Sequence, residues 1–68
     1  MNIRDAALEA QKTGRGIARK SDGSRPAIFI GTNTTECFLI LSPDYKTITP
    51  RWEPNLNDIT ANDWYVIG

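Results

Sequence analysis

Apolar positions recur at helical spacing only near the start of this chain; beyond Gly16 they alternate or cluster as strand residues do. The stretch "IRDAALEAQKT" (3–13) predicts a helix, because its three alanines, Leu8, Glu9, Gln11 and Lys12 all favour that state. Asn2 suits the N-cap, Asp5 belongs in an acidic first turn, and Gly14 supplies the stop. Ile3, Ala7 and Leu8 are expected on the buried side with Gln11 between them, so the apolar stripe is thin.

"GIARK" (16–20) and "AIFIG" (27–31) predict two strands joined by the turn "SDGSRP", where Asp-Gly provides positive φ and Pro26 bars helix. After the loop "TNTT", "ECFLIL" (36–41) predicts a third strand. Phe38 and Ile40 should point to one face, and Cys37, Leu39 and Leu41 to the other. Both faces are apolar. One can be covered internally, and the other is expected to meet another subunit. "SPDYK" reads as a turn and "TIT" as a short fourth strand ending at Pro50. Asn57 or Asp58 is expected to cap one helical turn through Ala61, before "WYVI" (64–67) returns as the last strand. The sum is an α+β domain over 1–68: one N-terminal helix packed on a small, mostly antiparallel sheet of about four to five strands.

Composition changes this picture in one respect. At 68 residues the core of such a domain supplies only about 3–5 kcal/mol, so small folds usually add a disulfide, a metal or a partner subunit. Cys37 is the sole cysteine and there is no histidine, which removes an internal disulfide and a Cys/His zinc site. Oligomerisation is the remaining source of stability. No metal or cofactor is expected.

Net charge is zero, against the phosphate-neutralising surface of a protein that binds polymeric nucleic acid. The distribution is uneven. Residues 1–25 carry six basic and three acidic side chains (+3), and residues 26–68 carry two basic and five acidic ones (−3). No stretch is apolar enough to span a membrane, and no signal-peptide core precedes the helix, so a cytosolic protein with reduced Cys37 is expected.

Without histidine no Ser-His or Cys-His pair can form. The Asp58 and Asp63 spacing is not diagnostic of a carboxylate pair, and such aspartates more often cap or hydrogen-bond. The chain is therefore not expected to be an enzyme. "GRGIARKSDGSR" lacks the phosphate-loop pattern, and its helix precedes the strand instead of following it. Arg19, Lys20 and Arg25 flank the turn; they either converge on an anion or stand as solvated hairpin charges. In "RWEPNLNDITANDWYVIG", Trp64 reads as a core residue. Trp52, among Asn and Asp side chains, is either core or a stacking platform for a planar ligand whose edge the amides would read.

The pattern W-x-P-x-x-x-D-x-x-A-x-D-W-x-V, here Trp52, Pro54, Asp58, Ala61, Asp63, Trp64 and Val66, resembles the C-terminal signature of the Thoeris anti-defence 2 family of phage proteins. "DAALEA…KTGRGIARK" is similar to that family's helix, glycine stop and following strand, and "ECFLILSPDYKTITP" to its central strands. The family commonly has a Gly-Trp pair after "A-R-K", where this chain has Ser21 and Asp22. It also lacks the longer insertion that some relatives carry between the central strands.

The resemblance implies a sponge: a small homo-oligomer, tetramer favoured over dimer, in the cytoplasm of the infected bacterial host. Such proteins bind nucleotide-derived immune signals, glycocyclic ADP-ribose or cyclic oligonucleotides, without cleaving them. Arg19 and Arg25 are then expected to meet phosphate charge and Trp52 to stack. Asn55, Asn57 and Asp58, with Asp63 in support, are expected to bond base or ribose. The alternative is a protein-interaction module that inhibits a host protein directly, with no small ligand.

Overall fold

A computed structural model describes residues 1–35 and 37–68. Helix α1 (Ile3–Thr13) leads into β1 (Gly16–Arg19), a single 3-10 turn (Lys20–Asp22), β2 (Ile28–Gly31), β3 (Phe38–Leu41), β4 (Ile48–Thr49), a short α2 (Leu56–Thr60) and β5 (Trp64–Ile67). The strands form one five-stranded antiparallel sheet in the order β4-β3-β2-β1-β5. The α+β architecture expected from the pattern is the one observed. No helix among the described residues is long and apolar enough to cross a membrane.

Local chemistry sets both ends of α1. The Asn2 side chain accepts from the Asp5 amide at 2.8 Å, and Gly14 closes the helix at φ 67, in the left-handed region that favours glycine. The buried stripe differs from the expected one. Ala6 and Ala10 are 0% and 4% exposed, with Ile3 and Ala7 packed beside them, while Leu8 remains 45% exposed. Positions 3, 6, 7 and 10 follow helical spacing, and two alanines at its centre let the helix approach the large rings of the sheet.

Those rings belong to one face. Cross-strand pairing sets Ile17 opposite both Phe29 and Val66, Arg19 opposite Trp64, and Ile40 opposite Phe29. Alternation then puts Ile17, Phe29, Phe38, Ile40, Trp64 and Val66 beneath α1. The opposite face carries Ala18, Ile28, Ile30, Leu39, Leu41, Ile48 and Ile67 by the same alternation. Gly16 lies among them, and a Cβ there would meet the Ile28 Cγ2 at 2.5 Å, so strand contact at this point requires glycine. Neighbours cover Ala18 and Ile28, but Ile48 is 59% exposed and most of the remainder is partly exposed.

Two further expectations are corrected. Cys37 does not belong to the third strand: it is exposed at φ 59, in a turn where the Thr32 amide bonds the Cys37 carbonyl and the Cys37 amide bonds the Thr34 carbonyl. Glu36, expected in the same strand, lies outside the described residues. Neither Asn57 nor Asp58 caps α2. Asn55 does, because Asp58 three residues on can answer it and form a reciprocal capping box.

Candidate functional site

The polar residues of the C-terminal segment converge, and they converge on one another. Asn55 Oδ1 accepts from the Asp58 amide at 2.9 Å, and Asp58 Oδ2 accepts from the Asn55 amide at 3.1 Å. The other carboxylate oxygen of Asp58 lies 3.4 Å from Arg19 Nη1, and its carbonyl accepts from Trp64 Nε1 at 2.8 Å. Arg19 Nε donates to Asp63 Oδ1 at 2.9 Å, while Asp63 Oδ2 accepts from the Ser21 amide at 3.0 Å. One cation thus links β1, α2 and the residue preceding β5.

The electrostatics follow from these bonds. The Arg19 hydrogen bond holds the Asp63 carboxyl below the usual carboxylate range, partly opposed by desolvation and assisted by the Ser21 amide. Asp63 in turn raises the Arg19 guanidinium above its ordinary value, with a smaller contribution from Asp58. Both residues remain charged at neutral pH, each already facing an opposite charge.

Trp52 belongs to an aromatic cluster. Its ring centroid is 4.2 Å from that of Phe29, 5.7 Å from Phe38 and 5.9 Å from Trp64. These are the separations of packed aromatic pairs, and the indole is partly buried among them. Asn57 and Arg25 are exposed. Of the seven residues singled out from the sequence, Arg19, Asn55, Asp58 and Asp63 are brought together, with Trp52 inside the adjoining core. Arg25 and Asn57 stand outside that network.

A concave site lies elsewhere on the molecule, along the C-terminal half of α1. It is a groove of about 190 Å³ between that helix and the ends of β2 and β3. Phe29, Gly31 and Phe38 line the sheet side, and Leu8 and Gln11 the helix side. Gly31 keeps the floor low: ring atoms of Phe38 come within 3.2–3.7 Å of where a Cβ would project. Arg15, just past the Gly14 stop, and Asn33, in the loop after β2, complete the rim. The Arg15 amide is anchored to the Ala10 carbonyl at 2.9 Å, which fixes where its side chain departs. Arg15 has no ion-pair partner among the described residues.

Sequence reading missed this groove because its parts come from three separated stretches. The available signal was a basic residue directly after a helix-stopping glycine, beside a helix whose inner face is alanine.

No curated protein and no solved structure matches the chain. A family model described as the Thoeris anti-defense 2-like domain matches residues 1–67. Its span takes in α1, the whole sheet and the Arg19–Asp58–Asp63 network, and on that match the chain belongs to the Thoeris anti-defence 2-like family.

Proposed function

We propose that this protein acts as a sponge, binding a nucleotide-derived immune signal as a homo-oligomer and holding it intact. The family match over 1–67 carries the reading, since the family is named for a role against Thoeris defence. The chemistry of the chain supports sequestration over turnover. There is no histidine to serve as a base, and the two best-placed carboxylates, Asp58 and Asp63, are engaged by Arg19. The ligand class is glycocyclic ADP-ribose or a cyclic oligonucleotide. Assembly, with a tetramer favoured, is supported by the apolar second face of the sheet, where Leu39, Leu41, Ile48 and Ile67 retain exposure.

Calorimetry with a panel of these signals tests binding, followed by denaturation and mass spectrometry of what is released. Stoichiometric recovery of unaltered ligand is the expected result. A cleaved product would make the protein an enzyme, and absence of binding across the panel would remove the sponge reading. Light scattering should give a mass near four times 7.6 kDa. The second face also suits a host protein, so failure of all ligands together with a stable host complex would favour direct inhibition.

A further inference from the structure

We propose that the groove beside α1 is a binding site for a phosphate-bearing planar heterocycle, the size of one nucleoside monophosphate unit, with Arg15 as its anion anchor. The proposal rests on the reading of this chain as a nucleotide binder and deepens it, because it assigns the contact to a place other than the C-terminal polar cluster.

Charge is the first argument. A cation with no ion-pair partner among the described residues, set at the rim of a concavity, is available to an incoming anion, whereas Arg19 would have to give up two carboxylates first. The C-terminal end of α1 opposes an anion with a partial charge of roughly −0.5, and Lys12 in the last turn is paired with Glu9 at 3.6 Å. The full positive charge of Arg15 exceeds that partial charge, and the guanidinium fork matches phosphate oxygens in a way a lone ammonium does not.

Shape is the second. Half-buried Phe38 lines the sheet side above the buried Phe29 ring, and Leu8 faces the groove from the helix while remaining 45% exposed. A flat heterocycle slides between such walls with stacking on one side and aliphatic contact on the other. Gln11 and Asn33 each offer a donor and an acceptor to its edge. Size bounds the occupant. At about 190 Å³ the groove falls below the ~300–1,000 Å³ of sites for drug-sized ligands, so one ring and its phosphate fit while a whole cyclic dinucleotide does not. The remainder of a larger signal would lie over the rim.

Amide chemical-shift mapping on the full chain, with millimolar AMP, GMP and UMP and with inorganic phosphate, tests the assignment. Shifts should centre on Leu8, Gln11, Arg15, Gly31 and Asn33, and the nucleotides should outcompete phosphate alone. Arg15→Ala should weaken nucleotide binding about tenfold or more, the loss of one charge-assisted contact. Leu8→Trp should block the groove, and Lys46→Ala, removing an exposed cation outside it, should change nothing. Shifts centred on Asn55 to Asp63, or equal losses from Lys46→Ala and Arg15→Ala, would overturn the proposal. If glycocyclic ADP-ribose or a cyclic dinucleotide binds and both Arg15→Ala and Leu8→Trp leave its affinity unchanged, the groove is wrong and sequestration stands. If the unaltered protein binds neither these signals nor the mononucleotides, both readings fall.

Discussion

In the C-terminal segment Asp58 serves Arg19, the Asn55 amide and the Trp64 indole at once; beside α1, Arg15 stands at the rim of a groove with no ion-pair partner among the described residues. The two regions use similar side chains for opposite ends. The first is the richer in chemistry, with carboxylates, amides, two indoles and a guanidinium, and its groups mostly satisfy each other. The groove has fewer polar groups and leaves them facing outward. What makes a polar residue available to a ligand is the lack of an internal partner, and residue type alone does not report it.

This contrast breaks most visibly at Trp64. It is 1% exposed and packs against Phe29 and Trp52. Trp64→Ala should cost ~3–5 kcal/mol, comparable to everything a core of this size supplies. Thermal or urea denaturation should find the variant largely unfolded; a cooperative transition near that of the parent would mean the tail is not structural. Next comes Asn55→Ala, which removes one half of the capping box and should lower stability by about 1 kcal/mol. A null result in the same denaturation would detach α2 from the stability of the domain.

The ion network has a smaller effect, because its members are partly solvated. Asp63 has a folded-state value depressed below its ordinary one, so its contribution is present above the unfolded value, near 3.8, and is lost as pH falls through the folded one. Asp63→Asn should therefore flatten the acid limb of a stability-against-pH curve below about pH 4. An unaltered limb would assign acid sensitivity to another carboxylate. Smallest of all is the effect of Arg15→Ala on folding, which should stay within about 0.5 kcal/mol, as for a surface change with no internal partner. A larger loss would show Arg15 to be structural and erase the distinction between the two regions.

Much of the fold was legible before any contact was known. Helix α1 spans the stretch marked by its formers, Asn2 and Gly14 act as read, and "WYVI" is β5 in full. The misreadings share a cause. Apolarity alone points Leu8 inward, yet the helix needs alanine where it meets the Phe29 and Trp64 rings. Continuity with the apolar run points Cys37 into a strand, yet the turn before β3 holds it at positive φ, as the loop positions of Tyr45 and Arg51 are also held. Among the site residues, their types and their clustering in the tail were visible. Their mutual satisfaction was not.

The sequence by itself determined both ends of α1 and the whole of β5, and located the other strands to within a residue or two, since capping, turn chemistry and side-chain periodicity act within a few residues. It determined the family too, through a match that runs over residues 1–67. Tertiary structure alone decided which charges are consumed and which remain. Arg19 finds Asp58 and Asp63 at separations of 39 and 44 residues because antiparallel pairing sets β1 against β5, with Arg19 opposite Trp64. Arg15, four positions earlier, precedes that strand and turns toward the groove instead. Contacts at such range depend on sheet register and on how closely the helix can approach, and neither is encoded in any local stretch of the chain.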